Sequence, residues 1–552
     1  MQPVPAPLPH HLHSKGKIIL YSGMPEIQKP NAEHFTRRVG LFTLGTLISR
    51  LGGVIRESVF AYLFGAGLAT DAFNVAFRIP NFFRDLFAES ALSAAFVPTF
   101  VQTRRSADEK TAWRLAANMF NAILLFLTGF VLIGIIFAPQ VVKVVAWGFR
   151  PEPSKLALTI TLTRIMFPFL LFVALAAWAM GILNACGSFF IPAVAPAVFN
   201  ILSALFPIAT YTVFVRHGIH PILGMAYGVT FGALFQFLIQ LPRLRSFGYK
   251  FQPLLNFADP ALRQVFIRWL PMVLGLATWQ VNFLLNTFLL TFLPQGSVTW
   301  VSYAYRIQHL PAGLFGVAIG TVALAQFAQT ATARLNREQF LHGLNLVSVL
   351  TLPAAVLLFI LAVPLVRLIY QHGRFTPTDT TLTAQALALY AFGVWPAAAV
   401  RNCAAGFYAL GNTRTPAFVA LLVVALNILL NLILMRFIGF RSFPLAASLT
   451  QFLNFGLLFF LLNRRQPDLL DRHTITVLLR SLISALVAGL LTFILVRIYE
   501  KFIPVNQLLT QFAEIIITST LGIISYYLLA RLLKLHEVTA ALNALIRRPP
   551  PG

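Results

Sequence analysis

Ile48-Ser49-Arg50-Leu51-Gly52-Gly53-Val54-Ile55-Arg56-Glu57 decides how this chain reads, together with two stretches that follow it. These are Gly65-Ala66-Gly67-Leu68-Ala69-Thr70-Asp71-Ala72-Phe73 and Arg78-Ile79-Pro80-Asn81-Phe82-Phe83-Arg84-Asp85-Leu86-Phe87-Ala88-Glu89. Eight ionisable residues fall within about forty positions that otherwise spell two membrane helices. An arginine at the centre of a membrane helix disfavours insertion by about 2.5–3.5 kcal/mol, so such charges face a watery cavity rather than lipid. The positive excess marks a buried site for something anionic.

Working outward, the 552 residues are 58% hydrophobic and 11% charged, far below the roughly 25% charged residues of a soluble domain. The mean hydropathy is +0.77. Apolar runs of about 20 residues recur along nearly the whole length, each enough to cross a hydrocarbon core about 30 Å thick. This is the pattern of an all-α polytopic membrane protein. The intervals between runs are too short for an extramembrane domain. A net charge of +25 points to nucleic acid in a soluble protein. Here the basic residues sit mostly in short loops, as the positive-inside rule explains, and no nucleic-acid partner is expected.

Fourteen spans are expected, at about 39–63, 69–101, 113–139, 157–185, 190–215, 221–242, 264–292, 298–330, 340–370, 380–410, 415–436, 442–463, 473–499 and 508–533. An even count puts both termini on one side. With the N-terminus cytoplasmic, the even-numbered loops and the tails, counted with the span ends that adjoin them, hold 25 basic residues, Arg104, Arg105, Arg464 and Arg465 among them, against ten in and beside the opposite loops and seven deeper within spans. That split sets the orientation.

A faint repeat at an offset of about 225–230 residues pairs Gly181…Pro192…Asn200-Ile201-Leu202 with Gly406…Pro416…Asn427-Ile428-Leu429, and Ala88…Arg104 with Ala318…Arg334. Spans one to six then match spans seven to twelve, and parallel repeats of this kind build two lobes around a central site. The expected organisation is a disordered cytoplasmic tail at 1–35, lobes at 36–245 and 246–465, a C-terminal pair of spans at 466–535 and a cytoplasmic tail at 536–552. The N-terminal region reads as lacking a cleavable signal, and Met24 is an alternative start. Cys186 and Cys403 give neither a disulfide framework nor a metal spacing.

On a regular helix Arg50 and Glu57 share a face, as do Asp71 and Arg78. Gly52-Gly53 bends the first helix or lets another backbone approach, and Pro80 is expected to kink the second before Arg84. Arg306 and His309 lie three apart on one face in the other half of the chain. Mutual pairing that locks helices is the competing reading, best suited to Asp71, Arg78, Asp85 and Glu89. One glutamate does not neutralise Arg50, Arg56, Arg84 and Arg306 together. Arginine suits an anion site because its planar fork bonds phosphate or carboxylate bidentately. A cation exporter needs carboxylates instead. Arg164 and Arg401 read as structural. Gln280, Asn282, Asn286, Asn427 and Asn431 read as interhelical hydrogen-bonding residues, with a cation path as the alternative. The last two spans, with Arg480 and Arg497 near helix ends, present long apolar faces suited either to a hydrocarbon tail or to simple packing.

The same residues carry a resemblance. Ser49-Arg50-Leu-Gly-Gly-Val-Ile-Arg56, Phe64-Gly-Ala-Gly-Leu-Ala-Thr-Asp71-Ala-Phe, Pro80-Asn81-Phe-Phe-Arg84 and Ala95-Phe-Val-Pro98 resemble the MurJ (MviN) lipid II flippases. So do Gly296-Ser-Val-Thr-Trp300…Tyr303-Ala-Tyr-Arg306…Pro311-Ala-Gly-Leu-Phe and Gly406-Phe-Tyr…Thr415-Pro416. The resemblance covers about residues 36–535. It implies 14 transmembrane helices, two six-helix lobes around a central cavity plus two C-terminal helices. It implies alternating-access transport of the undecaprenyl-linked peptidoglycan precursor across the bacterial inner membrane, in cell-wall biogenesis and cell shape. Carried over by motif, the substrate-binding residues are Arg50, Arg56, Glu57, Asp71, Arg84 and Arg306. Where the family usually has acids around the last arginine, this chain has Tyr305 and His309, and Glu57 stands where aspartate is common. No catalytic motif, nucleotide loop or metal site is expected. No cofactor is expected either, with coupling to a monovalent ion or the membrane potential left open. The partners expected are lipid II and membrane lipids, with other cell-wall synthesis proteins left open. A flippase for another polyprenyl-linked glycan and a drug antiporter are the rivals. An integral-membrane glycosyltransferase needs a large external loop with acidic residues, which this chain lacks.

Overall fold

The computed structural model describes residues 32–87, 90–106, 108–311, 336–467 and 469–539. Within them the chain forms twenty α-helices and two short 3-10 turns. The first ten are α1 (Ala32–Phe64), α2 (Leu68–Phe87), α3 (Ser90–Ser106), α4 (Glu109–Ile136), α5 (Ala138–Val145), α6 (Pro153–Met166), α7 (Phe169–Ala185), α8 (Phe190–Arg216), α9 (Leu223–Leu238) and α10 (Leu241–Ser246). The second ten are α11 (Pro260–Leu290), α12 (Ser297–Pro311), α13 (Arg337–Ile360), α14 (Ala362–Tyr370), α15 (Pro377–Ala391), α16 (Val394–Ala409), α17 (Arg414–Ile438), α18 (Ser442–Arg465), α19 (Arg472–Phe502) and α20 (Leu508–Leu532). The expected tails beyond 32 and 539, Glu89, and the Ala318…Arg334 half of one repeat pair lie outside the described residues.

Polar residues at the loop edges start several of these helices. Asp108, Asn336 and Asp471 each accept a hydrogen bond from the backbone three residues on, and Thr376 with Asp379 forms a reciprocal capping box. Each cap satisfies amide groups that lack an intrahelical partner. Nine helical stretches among the described residues are long and apolar enough to cross a membrane. The protein is thus an all-helical, multi-pass membrane protein. α2 falls outside that set because Asp71, Arg78, Arg84 and Asp85 crowd its 20 residues. The expected eighth span runs from α12 into 312–335, outside the described residues. α2 stays one continuous helix through Pro80.

Between membrane helices, association rests on close packing rather than on water exclusion, so small residues mark the contacts. Gly224, Gly228 and Gly232 line the face of α9 that meets α8, where a β-carbon on Gly228 or Gly232 would lie 3.0 or 2.8 Å from the backbone oxygens of Ser203 or Phe199. Gly52 faces Asn200 of α8, whose side-chain amide donates to Ser49 O at 3.0 Å. The glycine pair therefore admits a neighbouring helix. The first ten helices pack largely on one another, with α8 against α1 and α9, and α7 against α3, α4 and α9. α12 to α18 pack similarly among themselves, while α11 touches α2 and α3 on one side and α17 on the other. α19 and α20 pack on each other and attach through α13 and α14. α14 reaches back to α1, where Arg374 N, just beyond it, donates to Tyr62 O at 2.9 Å.

Candidate functional site

The facing sides of α1, α2, α11, α12 and α14 enclose a cavity of about 360 Å³. Arg50 and Arg56 come from α1, Arg78 and Arg84 from α2, and Arg306 from α12. Five guanidinium groups thus line one chamber. Against them stand two carboxylates: Glu57 in the wall, and Asp85, bonded to Arg84. The surplus of positive charge is what an anion with several acidic groups requires in a membrane interior.

Glu57 is the hub. Its carboxylate accepts from Arg56 Nε at 3.1 Å and Nη2 at 2.6 Å through Oε1, while Oε2 pairs with Arg306. The Glu57 side chain is only 7% exposed, so its charge depends on both guanidinium partners. The guanidinium of Arg56 also lies 5.3 Å from the Phe199 ring centre. On α2, Arg84 bonds Asp85 Oδ1 at 2.7 Å, and Asp85 Oδ2 accepts from Gln280 of α11 at 2.8 Å. Arg78 sits 3.6 Å over the ring of Phe283, also on α11. These contacts join helices from both halves of the chain around the cavity. Arg50, at its exposed rim, completes the set.

Asp71 is elsewhere. It lies two turns before Arg78 on the same helix, 1% exposed, and the cavity lining does not include it. Its Oδ2 accepts from Gly296 N at 2.7 Å and Lys155 Nζ at 3.3 Å, and its Oδ1 from Thr299 N at 3.1 Å and Thr299 Oγ1 at 2.7 Å. Asn74 Nδ2 adds a bond to Thr299 Oγ1 at 3.3 Å. The carboxylate caps the first turn of α12 and ties it to α2 and α6. Of the six residues expected to bind substrate, the structure brings together Arg50, Arg56, Glu57, Arg84 and Arg306 and sets Asp71 apart as a clasp between the halves.

Arg78, one of the charges of the decisive stretch, lines the cavity as well, as do Asn74, Asn81, Tyr305 and Tyr370, which the sequence did not single out as site residues. The spacing of 74, 78, 81 and 85 is a helical stripe, the signal by which three of them were legible. Tyr305, in a place where the family has an acid, faces the same chamber, and its ring lies 4.5 Å from that of His309. Neither Arg164 nor Arg401 reaches the cavity. A second chamber of about 240 Å³ shares Arg78 and Tyr305 with the first and is lined by amides. There Asn431 Nδ2 donates to Asn286 Oδ1 at 2.8 Å, Asn286 Nδ2 to Asn427 Oδ1 at 3.2 Å, and Asn427 Nδ2 to Thr450 Oγ1 at 3.4 Å. The amides link α11, α17 and α18, as interhelical hydrogen bonding requires. Among the described residues no cluster of three or more His, Cys, Asp and Glu gathers that would hold a metal ion.

On the outer surface, a groove of about 660 Å³ runs between α13, α15, α16, α18 and α19. Phe359, Phe392, Trp395, Phe452, Leu490 and Phe493 line it, and it is almost wholly apolar. The chemistry of the two sites differs sharply: one holds charge, the other hydrocarbon.

Known proteins resemble this chain in sequence and in fold. The family model of the lipid II flippase MurJ matches residues 60–529. The lipid II flippase MurJ of Burkholderia cenocepacia is 34% identical over 427 residues, covering 76% of this chain and 82% of that protein. A solved structure of a lipid II flippase MurJ in an inward closed conformation superposes with a TM-score of 0.69 at 26% identity, covering 89% of this chain and 99% of that one. An inward-facing multidrug resistance MATE family transporter of the MOP superfamily superposes with a TM-score of 0.61 at 14% identity, over 78% of this chain and 98% of that one, a likeness of fold alone.

Proposed function

The chain belongs to the MurJ family of lipid II flippases, and from that premise we propose how its parts divide the work. It moves lipid II, the lipid-linked peptidoglycan precursor, across the membrane by alternating access, and makes or breaks no bond. In our reading the arginine chamber receives the head. Arg56, Arg84 and Arg306 bond the pyrophosphate, while Arg50 at the rim and Arg78 beside Phe283 meet the acidic groups of the sugar–peptide. Glu57 holds Arg56 and Arg306 in register while the chamber is empty and yields them to the incoming anion. Asp71, Thr299 and Gly296 form the clasp that closes the far side and opens as the halves separate. The apolar groove beside α19 takes the hydrocarbon tail.

The same reading counts fourteen spans in two six-helix lobes, 36–245 and 246–465, with 466–535 as the tail-binding pair. It sets both termini in the cytoplasm of a bacterial inner-membrane protein, so that the head passes from the cytoplasmic to the periplasmic leaflet. No cofactor takes part, and the driving force is the membrane potential or a monovalent-ion gradient. The observation that carries the account is the meeting of arginines from α1, α2 and α12 in one chamber, with Glu57 bridging Arg56 of α1 and Arg306 of α12. Such a site binds a polyanion only while the two halves are disposed around it, which makes loading and conformation interdependent.

The test is reconstitution of the purified protein in vesicles carrying labelled lipid II on one side. Label should become accessible to an impermeant reagent on the other side well above the protein-free rate. Equal rates would contradict the reading.

A further inference from the structure

A buried trio that the head-group chamber does not use fastens the last two helices to the body. Arg367 of α14 donates from Nη2 to Glu500 Oε1 of α19 at 2.6 Å, and its Nη1 lies 3.5 Å from Glu514 Oε2 of α20. The side chains are 13%, 22% and 0% exposed. One guanidinium therefore serves two carboxylates. Arg497 approaches Glu500 at 3.6 Å but is 68% exposed and screened by solvent.

The sharing is unequal. Glu500 has a short charge-assisted bond, whereas Glu514 stands at the limit of hydrogen bonding. Its other oxygen, Oε1, is buried with no hydrogen-bond partner. One turn earlier on the same helix, Gln511 is 5% exposed and its Oε1 is buried without a donor too. Residues three apart on a helix are neighbours on one face. Two acceptors without donors, one of them on a surplus negative charge, are strongly disfavoured in a membrane interior. A proton on Glu514 answers both: it cancels the surplus charge and gives the carboxyl an O–H to donate.

We propose that Glu514 is a proton-binding site, occupied while Arg367 is bonded to Glu500 and emptied when the guanidinium swings to share itself with Glu514. The proton then leaves to water at 501–504, the exposed end of α19 and the start of the connection beyond it, which directly follow Glu500. The other groups around the site are few. α19 adds Tyr499, whose hydroxyl donates to Thr510 O at 2.9 Å. α13 carries its titratable residues, Arg337, Glu338 and His342, at the opposite end. α14 also bears Tyr370, which stacks on Tyr303 at 4.4 Å and lines the arginine chamber. Proton occupancy thereby bears on the chamber wall, a link that rests on reading the chamber as the head site; the proton site itself does not.

The experiment is infrared spectroscopy of the full-length protein in lipid nanodiscs across pH, reading the C=O stretch of protonated carboxyl groups. Wild type should show a band at neutral pH that disappears on alkalinisation and is missing from Glu514→Gln. Glu500→Gln frees Arg367 for Glu514, so the midpoint of that band should fall by about one pH unit or more, a tenfold loss of proton affinity. Glu514→Gln, which imitates the protonated carboxyl, should unfold at the same temperature as wild type at neutral pH. A spectrum without any band that differs between wild type and Glu514→Gln would overturn the proposal, as would a large loss of stability in Glu514→Gln, the mark of a permanently ionised partner of Arg367. The band is read without transport, so a failure of flippase activity leaves it intact.

Discussion

Asp71 and Thr299, 228 residues apart, are joined by two hydrogen bonds at one carboxylate oxygen, from Thr299 N at 3.1 Å and Thr299 Oγ1 at 2.7 Å. The contact caps α12 with a negative charge where the helix dipole favours one, and Lys155, 1% exposed, neutralises that charge. It is the most desolvated link between α2 and α12. In the proposed cycle it has to break whenever the far side opens.

Removing Asp71 strands the Lys155 ammonium in a buried site. Asp71→Ala should therefore lower stability by about 3–5 kcal/mol. Asp71→Ala/Lys155→Met should recover much of that loss, and Thr299→Val should cost only about 1 kcal/mol. Thermal unfolding in detergent measures all three. Equal losses for the single Asp71 variant and the double variant would show that the ammonium does not depend on Asp71.

Glu57 occupies both Arg56 and Arg306. Glu57→Gln should free the two guanidinium groups and tighten binding of inorganic pyrophosphate by roughly tenfold, equivalent to ~1.4 kcal/mol. Turnover should fall, because the variant holds its anion harder. Calorimetric titration of purified protein checks the affinity. No change would mean that the anion does not meet this pair.

Leu490 lines the apolar groove and is 60% exposed. Leu490→Gln places an amide in the path of a hydrocarbon chain, at a cost of about 1–3 kcal/mol. Transport of long-chain lipid II should drop several-fold while binding of a short-chain analogue holds. Equal losses for both would reduce α19 and α20 to a packing pair.

The orientation is tested by cysteine labelling in a background without Cys186 and Cys403. Gly296 is a poor reporter site: its φ of 94° suits glycine, and its amide is bonded to Asp71. Gln295, next to it and exposed, serves instead. Gln295→Cys should react with an impermeant reagent in the periplasm and Arg465→Cys should not. The reverse pattern would invert the topology.

Much of the site was legible because charge is costly in a membrane. Arg50, Arg56, Glu57, Arg84 and Arg306 stand out in any hydropathy reading, and they converge. Depth was not legible. Asp71 and Arg78 share a helical face, yet seven residues separate them by about 10 Å along the axis, enough to put one in a clasp and the other in a chamber. The pairing of Glu57 with Arg56 and Arg306 follows from the charge balance of the motifs, whereas the partners of Asp71, Lys155 and Thr299, were hidden by their distance in sequence. Glu514 is a different case. A lone acid in an apolar helix is a visible signal, but its partner Arg367 lies on another helix, 147 residues away. Tyr370 carries no formal charge, so nothing set it apart from core aromatics.

The central claim is that arginines from both halves jointly hold the anionic head, and the most direct test is flipping of labelled lipid II by reconstituted Arg56→Ala, Arg306→Ala and the double variant. Transport should be abolished in each while insertion and folding persist, and lysine at either position should rescue poorly, since it lacks the bidentate fork. If the arginines merely lock helices, the variants should instead lose stability, folded protein should stay active, and Glu57→Gln should partly rescue Arg56→Ala. Full flippase activity in well-folded Arg56→Ala/Arg306→Ala protein would contradict the account.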